Sequence, residues 1–284
     1  MVGSPISARL AFGTLKARPV LKWAGGKSQL LPKLEELSPD SFGKYIEPFI
    51  GGGALFFHLA PNASVLGDTN AELINLYSSI ASAAIEVADA VRELPISSED
   101  FYRIRSVDWK TLKPVKAAAR TIYLNRLCFN GLYRVNRKGE FNVPYGNYKK
   151  PQFPSDEALV KAGNMLSKSI IVEADYATLL QEHATAGDFI FLDPPYIPVG
   201  KYADFKRYNA KQFGNEDHEK LAAEVVRLVK LGCYVVLTNS NHPLVHGLYE
   251  DFEIRVQETR RNINSRGAGR RGEDVIVIAN GFAQ

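Results

Sequence analysis

Asp193-Pro194-Pro195-Tyr196 is the stretch whose residue types could do chemistry together. The two prolines fix their φ angles and carry no N–H donor. What remains is one carboxylate, outward-facing carbonyls and one aromatic face. That is an acceptor-rich clamp beside a stacking plate, suited to gripping a planar group that bears an NH2. The residues before it, Asp188-Phe189-Ile190-Phe191-Leu192, are short, apolar and aromatic-rich, the pattern of a buried parallel strand. The clamp then falls at the carboxyl end of a strand, where open α/β sheets bind ligands. A plain strand followed by a Pro-Pro turn would look the same, so the stretch needs support from the rest of the chain.

That support comes from three upstream segments. Leu21-Lys22-Trp23-Ala24-Gly25-Gly26-Lys27-Ser28 ends like a P-loop, but Leu21 stands where that motif needs its first glycine, which excludes it. The loop still offers backbone N–H groups, a cation and an indole; a glycine turn carrying a core tryptophan is the plainer alternative. Lys44 to Phe49 runs into Gly51-Gly52-Gly53 and then Ala54 to Leu59, a strand, a glycine turn and a helix. Such a turn lets a ligand approach the backbone. Phe56 occupies the third glycine position of the dinucleotide fingerprint, which argues against a nicotinamide dehydrogenase. Ser64 to Asp68 reads as a second strand ending in an acid, placed to bond ribose hydroxyls unless it serves the start of the helix from Asn70. Asp68 follows Gly53 by 15 residues, against about 20 in dehydrogenases. The site therefore reads as nucleoside-binding without a pyrophosphate.

The elements that must position these groups alternate strand and helix, except over residues 76–169. That stretch is helical in pattern, with apolar residues at helical spacing from Ala81 to Leu94 and from Val115 to Cys128, and reads as an insertion. Inside it, Asn125 to Lys150 is basic, aromatic and punctuated by glycine, with a hairpin tip expected over Arg137 to Phe141. Arginine forks, asparagine amides and wedge-like side chains suit base-edge reading and intercalation; a solvated hairpin is the alternative. Strands resume at Ile170 to Asp175 and Cys233 to Thr238, the latter followed by Asn239-Ser240-Asn241. A helix is expected from Glu216 to Leu231, with Asn215 as its cap and Gly232 as its stop. A closing strand pair, Glu253 to Glu258 and Val275 to Ala279, flanks a loop at 260–271 with five arginines, a candidate phosphate contact or a plain surface loop.

The 284 residues, 45% apolar and 23% charged, suit a water-soluble α/β protein, and a net charge of +4 is compatible with a polyanion partner. No apolar run is long enough to span a membrane. The five histidines lack zinc spacing, so no metal is expected, and Cys128 and Cys233 read as buried free thiols of a reducing, cytoplasmic compartment.

Taken in order, Lys22-Trp23-Ala24-Gly25-Gly26-Lys27, Glu47 to Gly53, Asp68-Thr69-Asn70 with Leu73-Ile74, Leu124 to Tyr148 and Asp193 to Tyr196 resemble the Dam-type DNA adenine-N6 methyltransferases. The likeness runs from about Leu21 to Gly281, and Gly52 stands where some members carry alanine. It implies a Rossmann-like S-adenosylmethionine-dependent sheet over 19–75 and 170–284 and an inserted, mainly helical DNA target-recognition domain with a β-hairpin over 76–169; residues 1–18, which it leaves uncovered, are mildly basic without a continuous apolar core and read as a loose N-terminal arm rather than a signal peptide. It implies S-adenosyl-L-methionine as methyl donor, with Trp23, Lys27, Gly51, Gly53, Asp68, Asp175, Tyr176 and Asp193 at the cofactor. Asp193, Pro194 and Tyr196 become the catalytic clamp. Lys22, Phe129, Asn130, Leu132, Arg134, Asn136, Arg137, Pro144 and Tyr148 become contacts to double-stranded DNA, with Lys22 and Arg134 on guanines. The implied reaction is methylation of adenine N6 in a flipped base, at GATC, by a monomer. A related site such as GATG, an RNA base or a protein glutamine as acceptor, and a catalytically inactive DNA-binding module are the competing readings.

Overall fold

A computed structural model describes residues 16–23, 27–136, 138–198, 213–260 and 271–282. Most of the N-terminal arm, Arg137, residues 199–212 of the loop after the clamp and residues 261–270 of the arginine loop lie outside the described residues.

Seven strands form one sheet: β1 (Tyr45–Glu47), β2 (Ser64–Asp68), β3 (Ser169–Glu173), β4 (Phe189–Leu192), β5 (Tyr234–Ser240), β6 (Glu253–Arg260) and β7 (Arg271–Asn280). Their order across the sheet is β3-β2-β1-β4-β5-β7-β6. The pairs from β3 through β5 are all parallel, and β7 runs antiparallel to both its neighbours. The chain starts in the middle with β1, winds outward to β3, then crosses back to β4 on the other side of β1. The topological switch therefore lies between the carboxyl ends of β1 and β4, where such sheets open a crevice. The glycine turn leaves one of those ends and Asp193 the other.

The centre of the sheet is buried on both faces, which is why β4 is a continuous apolar run with all four residues inside. Tyr45, Leu66, Phe189, Phe191 and Val236 face one layer, formed by α1 (Leu31–Glu36), α2 (Ala54–Leu59), α3 (Ala71–Arg92), α5 (Pro114–Leu127) and α6 (Asp156–Leu166). Ile46, Val65, Ile190, Leu192, Val235 and Leu237 face the other, formed by α7 (Tyr176–His183), α8 (Asn215–Leu231) and α9 (Pro243–Leu248). None of the helices among the described residues is long and apolar enough to cross a membrane.

Side chains start the helices where the turns require it: Asn70 accepts from the Leu73 N–H, Ser97 from Asp100 at the head of α4 (Ser98–Ser106), and Ser155 from Ala158. For α8 the expected cap, Asn215, is instead the first helical residue. Gly214 holds the cap position, and its N–H donates to the Asp217 carboxylate at 2.9 Å. Gly232 ends the helix with φ 93°, the left-handed geometry that glycine adopts without strain.

Among the described residues of 76–168 there is no strand, and two packing arrangements coexist there. One face of α5 and most of α6 join the sheet's own apolar layer through Ala118, Ile122, Leu159, Ala162 and Leu166. A smaller cluster of its own, including Phe101, Tyr123, Leu127, Tyr133, Phe141 and Val143, lies under α4 and the segment after α5. That segment forms a hairpin joined by the single antiparallel bridges Cys128–Tyr145 and Val135–Phe141.

Gly163 of α6 meets α3 where Ala83 departs from helical geometry. A Cβ there would lie 2.7 Å from the Ile80 carbonyl oxygen and 3.2 Å from the Ala84 Cβ. Gly163→Val should therefore destabilise the fold by about 1–3 kcal/mol through overpacking. Urea unfolding checks this; an unchanged midpoint would mean that α3 and α6 have slack the contact distances do not show.

Candidate active site

Asp193 sits one residue past β4, where the parallel ladder to β5 ends at Leu192–Leu237. Its Oδ2 lies 2.6 Å from the Lys27 Nζ, and its Oδ1 accepts from the Thr238 hydroxyl at 2.8 Å. Lys27 is buried, with its side chain 7% exposed against 22% for Asp193. Burial alone would push the ammonium's pKa down, but Asp193, with Tyr196 and Asp274 adding to it, outweighs that and the net shift is upward. Lys27 therefore stays charged. Its Nζ also lies 4.7 Å from the centre of the Tyr196 ring, so the cation engages one aromatic face. The Tyr196 hydroxyl is buried within reach of Thr238, and burial pushes its pKa up.

The glycine turn is held from several sides. Gly51 and Gly53 have φ 44° and 64°, and the Tyr77 hydroxyl donates to the Gly51 carbonyl at 2.7 Å. The close approach that these glycines permit is made by Trp23: a Cβ on Gly51 would lie 2.7 Å from the indole Nε1, and one on Gly52 2.7 Å from the Trp23 Cβ. Asp68 closes the turn, its carboxylate accepting from the Gly51 N–H at 3.1 Å and the Asn70 N–H at 3.0 Å. Burial pushes the Asp68 pKa up to about 6 against those donors. Asn70, not Asp68, caps α3. Past the same strand ends, Phe49 and Tyr176 stack at 5.4 Å and form an aromatic wall.

Asp175 is committed to structure. It caps α7, accepting from the N–H groups of Ala177 and Thr178 and from the Thr178 hydroxyl. Those donors outweigh its desolvation and hold its pKa below the ordinary range.

Among the residues of the 129–148 segment, Phe129 is 51% exposed, and Asn130 and Pro144 are exposed too. Asn130 stands at φ 55°, and the Pro144 carbonyl accepts from the Phe129 N–H at 2.8 Å. Leu132 is half-buried. Lys22 reaches this group from the other side of the chain: its Nζ lies 5.2 Å from the centre of the Tyr148 ring, and its stem covers Gly131. Arg134 is turned toward Asn142, donating to its side chain at 2.8 Å. Asn136 braces the hairpin tip, with its oxygen accepting from Lys138 and Glu140 N–H groups and its amide donating to the Glu140 carboxylate. Arg137 lies outside the described residues.

Sequence reasoning gave no role to several residues of this site. Thr238 holds Asp193. Asn239 and Ser240 hold the backbone of Ile197. Glu47, buried at the end of β1, accepts from the Tyr45 hydroxyl, and burial raises its pKa well above the usual range. Asn125 brackets Lys22, accepting from its N–H at 2.8 Å and donating to its carbonyl at 2.7 Å. The polar run after Leu237 was visible, but a polar strand end is also how an ordinary turn begins.

A parallel sheet with one antiparallel strand set between β5 and β6, and a carboxylate clamp at its switch point, is a Rossmann-like methyltransferase architecture. A family model for the D12 class N6 adenine-specific DNA methyltransferases matches residues 23–263. Type II methyltransferase M1.LlaDCHI of Lactococcus lactis subsp. cremoris is 38% identical over 274 residues, covering 94% of this chain and 96% of that protein. Type II methyltransferase M.MjaIII of Methanocaldococcus jannaschii is 35% identical, with 90% and 96% covered. The DNA adenine methylase of Escherichia coli (strain K12) is 34% identical, with 92% and 95% covered. The chain belongs to the D12 class of N6 adenine-specific DNA methyltransferases. Enzymes of this class depend in general on S-adenosylmethionine.

The Lys27–Asp193 pair makes a prediction independent of substrate. Asp193→Ala leaves a buried ammonium without its counter-charge and should cost about 3 kcal/mol of stability. Lys27→Met combined with Asp193→Ala should recover most of that loss. Denaturant midpoints of the two variants decide it: a double variant no more stable than Asp193→Ala would show the pair is not what the fold depends on.

Proposed function

We propose that the chain transfers a methyl group from S-adenosylmethionine to the N6 of an adenine flipped out of duplex DNA, at GATC. The observation that carries this reading is the Asp193 carboxylate, held at the switch point by Lys27 on one oxygen and Thr238 on the other. Each oxygen keeps a lone pair after those bonds. Asp193 can therefore accept one N6–H, and the Pro194 carbonyl the other. Both bonds draw the nitrogen toward pyramidal geometry and free a lone pair otherwise delocalised into the ring. Charge-assisted acceptors of this kind also stabilise positive charge as it develops on N6. The free face of Tyr196 stacks on the base.

The residues of the crevice fit the cofactor. Asp68 has acceptor capacity left for ribose hydroxyls, the Phe49–Tyr176 wall suits an adenine ring, and the glycine turn and Trp23 line the floor between them. S-adenosylmethionine bound there would supply an electrophilic methyl: the N–CH3 bond would form as the S–CH3 bond breaks with its electron pair kept by sulfur, and N6 would pass one proton to water by way of the hydrogen-bonded Asp193 carboxylate.

Lys22, Phe129, Asn130, Leu132, Pro144 and Tyr148 are the proposed DNA contacts, with Phe129 and Leu132 entering the duplex to offset the few kcal/mol that base flipping costs. Arg134 joins them by exchanging Asn142 for a base edge. Asn136 serves through the hairpin tip that it braces. Asp175 is proposed to border the cofactor adenine through its position at the head of α7, and Tyr176 through its ring. GATC is the proposed site because the Leu124 to Tyr148 stretch most resembles members that methylate it.

Two measurements test this. Plasmid incubated with the protein and the methyl donor should resist a GATC-cutting nuclease that adenine methylation blocks. Labelled methyl in the DNA without protection would move the site elsewhere, and no incorporation would sink the reading. Asp193→Asn, which keeps the shape of the clamp, should lower kcat by about 100-fold or more with DNA affinity largely retained.

The raised pKa of Asp68 adds a pH signature. Ribose hydroxyls bond the ionised acid best, so cofactor affinity should fall as pH drops through about 6. Direct titration of cofactor binding across that range checks it, and the dependence should vanish in Asp68→Asn.

A further inference from the structure

The β4–β5 ladder ends where the clamp begins. Leu192 still pairs with Leu237, but Pro194 and Pro195 have no N–H with which to continue it. Three consecutive side chains of β5 take over from the missing ladder bonds. Thr238 donates to the Asp193 carboxylate at 2.8 Å. Asn239 accepts from the Ile197 N–H at 3.1 Å, and the Ser240 hydroxyl donates to the Ile197 carbonyl at 2.7 Å. All three are at most 1% exposed. The clamp is thus anchored at its first residue and again just past its last, and the bonds run to a strand that sits rigidly between β4 and β7.

We infer that Thr238 is the positioning residue of the methyl-transfer reaction, setting the rotation of the Asp193 carboxylate, while Asn239 and Ser240 fix the exit of the Pro-Pro turn. A carboxylate held only by Lys27 could turn about its Cβ–Cγ bond and follow the ammonium. Thr238 pins the second oxygen, so the lone pairs left for an amino group keep one direction. This inference rests on the proposed amino-group clamp.

The other charged and titratable groups facing Asp193 come from several elements. Lys27 pairs with it from the loop before α1, and Tyr196 lies within the clamp itself. Glu47 and Tyr45 of β1 feel its charge, and Asp274 of β7 acts on Lys27 and Tyr196. None of them contacts Oδ1 through a hydroxyl, so the loss of Thr238 has its own signature.

The test compares Thr238→Val, Thr238→Ala and Thr238→Ser in steady-state and single-turnover methylation of duplex DNA. The valine and alanine variants should lose on the order of tenfold or more in the methyl-transfer rate, with KM for DNA and for S-adenosylmethionine within about threefold of the parent. Serine, which keeps the hydroxyl, should restore the rate. A loss that appears in KM rather than in the methyl-transfer rate, or one that serine does not restore, would reduce Thr238 to packing and overturn the inference. Parent-like rates in valine or alanine would overturn it too. Should valine not fold, alanine, which adds no volume, carries the same comparison. An inactive parent protein would instead count against the proposed function.

Discussion

A buried ammonium held against a carboxylate joins the two halves of the crevice. Lys27 enters from the loop before the first helix, and Asp193 leaves the central strand β4. Neither group could be buried alone at neutral pH without a large desolvation penalty. Together they make a neutral unit at the one place where the sheet changes direction. The glycine turn, Trp23 and Tyr196 are all packed with reference to that unit. Trp23 lies four residues before Lys27 and rests on Gly51 and Gly52, so the same loop that delivers the cation also covers the turn. The pair holds the loop to the sheet and leaves the remaining carboxylate lone pairs facing the crevice.

The strands were legible because burial on both faces leaves β4 no choice but an apolar run, and each of the seven was placed from the chain alone within a few residues. The glycine turn and clamp were legible because their chemistry requires unusual residues at fixed spacing. What stayed hidden has a common cause: polar residues at strand ends and helix heads look alike whatever they serve. Asp175 follows β3 as Asp68 ends β2, yet one is consumed by capping α7 and the other braces Gly51. Thr238 reads as the last residue of a strand, and only the register of β4 against β5 turns it toward Asp193. Asn125 sits mid-pattern in α5, where its type suggests a surface position; it is fully buried because the Lys22 backbone supplies its partners. No local pattern contains a contact between residues about a hundred positions apart.

The segment between α5 and α6 shows how a nearly strandless stretch can still be rigid. Among the described residues its hairpin has only isolated bridges, too few to hold a shape alone. Its order comes from polar anchors to the rest of the fold. Glu72, in the first turn of α3, accepts from Arg120 at 2.6 Å, from the Thr121 hydroxyl and from the Tyr133 hydroxyl at 2.9 Å. Arg120 spends its remaining donors on the carbonyls of Ile104 and Arg105. A buried carboxylate with three donors and a guanidinium with three acceptors satisfy the condition under which buried charge is tolerated. Tyr133 then carries the order onward, because its ring stacks on Trp23 at 5.0 Å.

That stack and the Asn125 bracket fix the relation between the proposed DNA-contacting segment and the crevice. Tyr133 touches the residue that covers the glycine turn, and Asn125 clips the adjoining Lys22 while also donating to the Gly131 carbonyl at 3.2 Å. Buried hydrogen bonds and an aromatic contact therefore tie Phe129 and Asn130 to the residues that cover the glycine turn. Preorganisation of this kind matters most for a reaction that asks a weak nucleophile to meet a methyl carbon in line, since a misplacement of about 1 Å already costs orders of magnitude in rate. The buried polar residues of α3 and α5, none of which reaches the clamp, thus bear on the reaction through distance alone.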